Sequence, residues 1–172
     1  MTSPVPDRVR WAVETLDVQP SDRVLEIGCG SGVAAGMICE RLVEGRMLAI
    51  DRSAVQIERA RRRNDAHLAS GRLSLDAVEL ADLHVGDARF DKVFAINVNL
   101  FWLGPARAEV DAVRRALAPG GRLLLFYETP GPERARHAAK RLTAVLQAEA
   151  FAEPKWLTRT PRLFGCVTAF RS

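Results

Sequence analysis

The sequence predicts an α/β fold, in which a doubly wound, mostly parallel sheet of seven strands carries helices on both faces. Short apolar stretches alternate along the chain with longer segments whose apolar residues recur at helical spacing. The stretch 24–27 runs into Gly28, Gly30 and Gly32, which is typical of a strand that turns sharply into a helix. The last two apolar stretches are joined by a short link without a helix, so we expect the last strand to be antiparallel.

The first half of the chain alternates helices and strands. Asp7 caps a helix that turns Val13 and Leu16 to one side, and Ser53 with Gln56 forms a capping box for a later helix. The predicted elements are a helix over 7–16, a strand over 24–27, a helix over 33–42, a strand over 47–50, a helix from 54 and a strand over 72–78.

The second half continues the pattern and ends in the antiparallel pair. The wholly apolar stretch 93–96 is typical of a central strand, and the glycines and proline of 118–121 indicate a tight turn. The predicted elements are a strand over 93–96, a helix over 106–117, a strand over 122–127, a helix over 133–150, and strands over 155–158 and 165–170.

Length and composition indicate one globular domain over 1–172, in which 1–20 form an N-terminal arm and helix. No apolar run approaches the ~20 residues of a membrane span, and 1–4 lack a signal-peptide pattern. The three cysteines form no C-x-x-C pair, which predicts neither a disulfide framework nor a bound metal. We therefore expect a cytoplasmic protein without a membrane segment.

A modest excess of basic residues raises the question of a nucleic-acid partner. The chain has 25 Lys+Arg against 21 Asp+Glu, a formal charge of +4. Two basic clusters stand in predicted helices, at 59–63 and at 134–141, with no aromatic residues interleaved for stacking on bases. We favour solvated helix faces, with nucleic-acid binding as the alternative.

The spacing of the glycines excludes two common nucleotide-binding motifs. A dinucleotide fingerprint needs a third glycine where Val33 stands, and a P-loop needs Lys and Ser/Thr where Val33 and Ala34 stand. The turn instead reads G-x-G-x-G, with Glu26 two residues ahead of it. Either a ligand lies against this bare backbone, or the glycines only let strand and helix pack closely.

The run Glu-Ile-Gly-Cys-Gly-Ser-Gly at 26–32 resembles motif I of the class I S-adenosylmethionine (SAM)-dependent methyltransferases. The run Leu-Ala-Pro-Gly-Gly at 117–121 is similar to the turn that precedes the fifth strand in that family. The resemblance implies a Rossmann-like fold, methyl transfer from SAM, and S-adenosylhomocysteine (SAH) as the product. It also implies that the methionine part and ribose of SAM contact the glycine turn with its preceding acid, namely Glu26, Gly28, Cys29, Gly30 and Gly32.

Two acidic residues at strand ends complete the predicted cofactor site. Asp51 ends the second strand, where open α/β sheets bind ligands, and its carboxylate can accept bonds from both ribose hydroxyls. The resemblance implies the same role for Asp51, and we assign Arg52 beside it to the cofactor site. It also implies that Glu79 and Leu80 contact adenine. The family more often has Asp and Ala there, and the competing acids are Asp76 and Asp82.

The end of the fourth strand supplies candidate residues for the methyl acceptor. Asn97, which we also assign to the cofactor site, and Asn99 can bond a substrate or satisfy strand-end backbone groups. Trp102 and Tyr127 are further substrate candidates, with Phe101 either beside them or in the core. No catalytic base can be named, because His84, on the loop after the third strand, is favoured as a solvated residue.

The acceptor is expected to be a small molecule rather than a macromolecule. We expect no additional lobe that encloses it, so the site should be open or be covered by the N-terminal arm or by a second subunit of a homodimer. Trp11 in the first helix is interpreted as a packing residue, with a lid over the cofactor as the alternative. The rival functions are a module that binds SAM without transferring methyl, a methyltransferase that acts on protein or RNA, and an enzyme that uses another nucleotide.

Overall fold

The computed structural model of the chain describes residues 4–86, 89–101, 107–159 and 164–172. Its strands are β1 (Arg23–Ile27), β2 (Arg46–Asp51), β3 (Leu73–Ala77), β4 (Phe90–Ile96), β5 (Leu117–Glu128), β6 (Phe151–Arg159) and β7 (Phe164–Arg171). Its helices are α1 (Asp7–Leu16), α2 (Val33–Cys39), α3 (Ala54–Arg63), α4 (Asp65–Ala69), α5 (Arg107–Ala116) and α6 (Pro132–Ala148). Short 3₁₀ helices cover Leu80–Asp82 and Asn99–Phe101.

The strands form one seven-stranded sheet in the order β3-β2-β1-β4-β5-β7-β6. The pairs among β3, β2, β1, β4 and β5 are parallel, and β7 is antiparallel to both β5 and β6. The predicted α/β fold with a mostly parallel sheet and an antiparallel last strand is therefore confirmed. The chain lays β2 and β3 on one side of β1 and then crosses to β4 on the other. This switch leaves a crevice at the carboxyl ends of the strands, where ligands bind in such sheets.

Helices cover both faces of the sheet and pack against it through hydrophobic residues. Alternate residues of β4 face opposite sides, so that Phe94 packs in a cluster with Val13 of α1 and residues of α2. Its neighbour Val93 packs in a second cluster with Val113 of α5 and Leu142 of α6. The central strands are buried on both sides, which explains why they appear in the sequence as continuous apolar runs.

The N-terminal helix packs through its tryptophan. The Trp11 ring lies 5.5 Å from the Phe126 ring in an edge-to-face arrangement and 6.0 Å from the Phe164 ring in a stacked one. Trp11 is thus a packing residue against β5 and β7, as the sequence favoured. Among the described residues, no helix combines the length and the apolar character needed to cross a membrane.

The structure corrects the predicted boundaries around β5. Residues 118–121 were predicted as a turn outside the strand, whereas β5 begins at Leu117, which pairs with Phe90. The pairing register then shifts between Phe90 and Lys92, where Gly120 has a φ of 72°. The glycine and proline signals therefore mark an irregularity within the strand rather than a turn before it.

Two other elements differ from the prediction. The short helix α4 was not predicted, because five residues offer too little periodicity to detect. The sixth strand was predicted over 155–158 but begins at Phe151, with an irregular register between Ala152 and Lys155. Pro154 suggested that the strand started later, yet β6 lies at the edge of the sheet, where a proline is tolerated.

Candidate active site

A cavity of about 370 Å³ lies at the carboxyl ends of the strands that flank the switch in strand order. We call it the rim cavity. Its walls come from the ends of β1, β2 and β4, from the segment after β3 and from α5. The predicted cofactor residues that line it are Gly28, Asp51, Arg52, Glu79, Leu80 and Asn97.

The glycine turn joins β1 to α2 beside this cavity. Gly30 has a φ of 54°, and a Cβ built on it would have no neighbouring atom within 4 Å. Gly32 has a φ of 72°, and its Cβ would come within 2.6 Å of the Asn64 side chain. A Cβ on Gly28 would likewise come within 2.6 Å of the Val98 side chain. Close packing therefore explains part of this glycine pattern, but at Gly30 the backbone is bare toward open space.

Asp51 ties the turn to the end of β2. Its Oδ2 accepts a hydrogen bond from the Gly30 N–H at 2.9 Å, and its Oδ1 accepts one from the Ser53 N–H at 2.9 Å. The Ile50 carbonyl accepts bonds from the Gly28 and Cys29 N–H groups at 2.8 and 3.0 Å. An ionised carboxylate has about four acceptor sites, so Asp51 can hold the turn and still accept bonds from a ligand in the cavity.

Glu26 is a buried acid at the base of the same turn. It is 3% exposed, and its Oε2 has no hydrogen-bond partner among the described residues. Burial, reinforced by the negative charge of Asp51, raises the pKa of Glu26 from 4.5 to about 8. The carboxyl therefore holds its proton at neutral pH, and a cationic group placed nearby would favour its ionised form.

Cys29 lies within the turn but has the properties of a structural thiol. Burial, with the charges of Glu26 and Asp51, raises its pKa far above the ordinary range of thiols. Its Sγ donates to the Gly30 carbonyl at 3.7 Å. Because the thiolate is the nucleophilic form, Cys29 is not suited to covalent chemistry. Cys39 and Cys166 are also buried, and none of the three is in a disulfide.

The segment after β3 forms the opposite wall of the rim cavity. The Val78 N–H donates to the Asp51 carbonyl at 3.1 Å, which brings Glu79 and Leu80 to the cavity. Leu80 is buried, whereas Glu79 is exposed. The competing acids Asp76 and Asp82 do not line this cavity.

The asparagines after β4 stand between the rim cavity and a second cavity. The Asn97 Oδ1 accepts the Glu128 N–H at 2.7 Å, and the Asn97 backbone N–H donates to the Phe126 carbonyl at 2.9 Å. Asn97 thus satisfies a strand-end backbone group, with a φ of 55° that asparagine tolerates well. Asn97 and Asn99 line both cavities.

The second cavity, here called the α6 cavity, has a volume of about 690 Å³ and lies between the end of β5 and the first turns of α6. Tyr127 lines it but is buried, and its hydroxyl donates to the Ala135 carbonyl at 3.2 Å. Burial raises the pKa of Tyr127, so its hydroxyl stays protonated. Phe101 is buried in the core, and Trp102 lies outside the described residues.

Sequence reasoning missed Glu109 at the rim cavity and Asn64 beside the glycine turn. Glu109, in the first turn of α5, lines the rim cavity, but an acid in a first helical turn is common and carries no special signal. Asn64, between α3 and α4, donates from its buried side-chain amide to the Gly32 carbonyl at 3.0 Å. Only the folded structure brings Asn64 and Gly32 together, since 32 residues separate them.

The comparisons with known proteins agree with this architecture. A solved SAM-dependent methyltransferase from Aquifex aeolicus has the same fold, with a TM-score of 0.80 at 14% identity over 95% of this chain and 89% of that one. The fold is thus that of the class I SAM-dependent methyltransferases. A family model described as "Methyltransferase domain" matches residues 24–121, which is more than half of the chain, and the chain belongs to this family.

Two curated relatives have names that specify different acceptors. A trans-aconitate 2-methyltransferase from Azoarcus sp. is 32% identical over 84% of this chain and 60% of its own length. A protein-L-isoaspartate O-methyltransferase from Methylorubrum populi is 34% identical over 72% of this chain and 53% of its own length. The chain therefore spans a little over half the length of these relatives.

The residues present fit SAM, the cofactor that the family implies. The bare backbone at Gly30 leaves room for a ligand, and the unpartnered Glu26 oxygen is a buried acceptor at the base of the turn. The rim cavity also has the size of a small-molecule site.

Proposed function

We propose that this chain is a SAM-dependent methyltransferase that holds SAM in the rim cavity and methylates a small molecule bound in the α6 cavity. The observation that carries the proposal is the link between Asp51 and Gly30. The Asp51 carboxylate, at the end of β2, accepts a hydrogen bond from the Gly30 N–H at 2.9 Å and also lines the rim cavity. The site is therefore arranged for a ligand before any ligand arrives.

Each cofactor residue has a role that its chemistry allows. Asp51 accepts bonds from the ribose hydroxyls, with Arg52 beside it on the cavity wall. Glu79 accepts a bond from the adenine amino group, and the Leu80 segment packs against the ring. The methionine part lies along the glycine turn and its buried acid, which comprise Glu26, Gly28, Cys29, Gly30 and Gly32.

When bound, SAM supplies an electrophilic methyl group. A lone pair of the acceptor forms the new bond to this carbon, while the carbon–sulfur bond breaks and sulfur keeps its electrons in SAH. Any proton on the acceptor passes to solvent. The task left to the chain is to hold the acceptor in line, and such positioning supplies much of the rate enhancement. Asn97 and Asn99 stand at the boundary of both cavities and are the side chains proposed to orient the acceptor.

A small-molecule acceptor is supported by the size of the α6 cavity, about 690 Å³, which lies within the range of sites that enclose such ligands. The name of the Azoarcus relative, a trans-aconitate 2-methyltransferase, points the same way. A protein acceptor is the alternative, since the name of the Methylorubrum relative specifies protein L-isoaspartate.

Titration calorimetry with SAM, SAH and NAD tests the cofactor assignment. We expect heat with SAM and SAH and none with NAD. Heat with NAD alone would overturn the proposal. A transfer assay with radiolabelled methyl, run over metabolite, protein and RNA pools, then tests the reaction. Label in the metabolite pool supports the proposal, label only in protein or RNA overturns the small-molecule part, and binding without any transfer identifies a SAM-binding module.

A further inference from the structure

The α6 cavity has a charge pattern to which the proposed function assigns no role. One face of α6 carries Arg134, His137 and Arg141, spaced three and four residues apart, and all three line the cavity. Residues at this spacing project from the same side of a helix. The half-buried Ala138 lies between them and leaves space on that side.

The geometry distinguishes this face from an ordinary solvated one. Arg136 and Lys140 are exposed residues of the same helix, and they do not line the cavity. The opposite side of α6 is anchored to the sheet, with Ala135, Ala139 and Leu142 buried in the core. All five of these basic residues are exposed, but only Arg134, His137 and Arg141 border a concave space.

One acid of the cavity is shared with an arginine outside it. Glu128 and Glu133 also line the cavity, so two carboxylates face two arginines there, but the Glu128 Oε2 lies 3.7 Å from the Nη1 of a further arginine, Arg8. Arg8 does not line the cavity itself, but with it three guanidinium groups stand against two carboxylates at this end of the sheet. The local balance is positive beside the cavity that opens toward the methyl-transfer position.

We infer that the methyl acceptor carries a carboxylate or phosphate group, which binds against Arg134 and Arg141 at the α6 end of the cavity. This inference rests on the proposed function and specifies its substrate class. A planar guanidinium can bind such an anion through two parallel hydrogen bonds, which fixes orientation as well as position. With the anion held at α6, the nucleophilic end of the acceptor points toward Asn97 and Asn99, where the two cavities meet.

NMR titration of the SAH-bound protein provides the test. The probes are glutarate and phenyl phosphate, which separate a carboxylate from a phosphate preference, and glutaramide as a neutral counterpart, all at constant ionic strength. The side-chain Nε–H resonances of Arg134 and Arg141 report on binding, and that of Arg136 is the internal control. We expect one or both anions to shift the Arg134 and Arg141 signals in a saturable way, without a matching shift from glutaramide.

Two matched double variants complete the experiment. Arg134→Gln with Arg141→Gln should weaken binding of the preferred anion about ten-fold or more, because two charge-assisted contacts are lost. Arg136→Gln with Lys140→Gln removes the same charge from the same helix and should leave the affinity unchanged. Circular dichroism and SAH affinity check that both variants keep their fold.

Three results would overturn the inference. These are equal anion shifts at Arg136, equal weakening in both double variants, and no shift with either anion in a protein that binds SAH normally. The last result would leave the proposed cofactor site intact. Failure of the unmodified protein to bind SAH would instead overturn the proposed function, and the inference with it.

Discussion

The side-chain amide of Asn64 donates to the Gly32 carbonyl at 3.0 Å and to the Ala60 carbonyl at 2.9 Å, and both contacts are buried. One residue therefore connects the end of α3 to the last glycine of the turn. The neighbouring Arg63 also contacts the turn, from its Nε to the Ser31 carbonyl at 3.1 Å, but this contact is exposed. The glycine turn is thus held by α3 as well as by β2.

Replacing Asn64 with Ala should lower both stability and SAM affinity. The Gly32 carbonyl loses a buried donor, which costs about 1–3 kcal/mol in the free energy of unfolding. The loosened turn should also bind SAM more weakly. Arg63→Ala is the control and should have a smaller effect on both, because water can replace an exposed contact. Urea denaturation and calorimetry measure the two quantities, and an Asn64→Ala protein equal to wild type in both would contradict this role.

Asp51→Ala should weaken SAM binding roughly ten- to a hundred-fold in a protein that stays folded, because charge-assisted hydrogen bonds to the ligand are lost. Asp51→Asn keeps one acceptor oxygen and should have an intermediate affinity. Asp76→Ala removes a carboxylate from the adjacent strand, away from the rim cavity, and should bind SAM normally. Unchanged affinity in folded Asp51→Ala would remove this residue from the site.

Glu26 should make the ligand-free protein less stable as the pH rises. Its pKa is raised from 4.5 to about 8 in the folded state, so between these values the unfolded chain ionises Glu26 while the folded chain keeps the proton. The unfolded state then binds fewer protons, and the contribution of Glu26 to the free energy of unfolding falls with increasing pH. The change is on the order of a few kcal/mol from pH 5 to pH 8.

Glu26→Gln isolates this effect because glutamine does not titrate. From pH 5 to pH 8 the wild type should lose unfolding free energy relative to the Glu26→Gln variant. Urea denaturation across that range measures it. A difference that is independent of pH would show that Glu26 is ionised in the folded protein.

Gly30→Ala should reduce SAM affinity beyond its effect on stability. The new Cβ would meet no protein atom, so the cost in stability is only that of a left-handed alanine, about 1–2 kcal/mol. The same methyl group would occupy the space beside the bare backbone where the ligand is proposed to lie. Gly71→Ala is the matched control, since Gly71 has a φ of 70° and an equally open Cβ position but precedes β3, at the opposite edge of the sheet from the glycine turn. Equal SAM affinities in the two variants would show that SAM does not lie against the backbone of Gly30.

Signals in the sequence were sufficient to predict the fold class and to select two of the three acids that border the rim cavity. Asp51 could be chosen because strand ends in a parallel sheet meet at one edge, and a strand end is visible in the sequence. Glu79 was preferred to Asp76 and Asp82 on the family resemblance. The buried state of Glu26 follows from its place in an apolar strand. The family resemblance supplied the roles assigned to these residues.

Contacts between distant parts of the chain could not be predicted in this way. The bond between Asn64 and Gly32 and the presence of Glu109 in the rim cavity depend on how helices pack on the sheet, which no local pattern encodes. The start of β5 was misplaced because glycine and proline mark turns more often than irregular strands. The α6 cavity was missed as well, since the sequence cannot distinguish a basic helix face over a concavity from one in water.

The shared position of Asn97 and Asn99 has a consequence for redesign. Because both residues line both cavities, the proposed function predicts that substitutions there change the binding of SAM and of the methyl acceptor together. Arg134, His137 and Arg141 line the α6 cavity and are not among the residues that line the rim cavity. A library of substitutions confined to these three residues is therefore expected to change which acceptor is methylated without changing the binding of SAM.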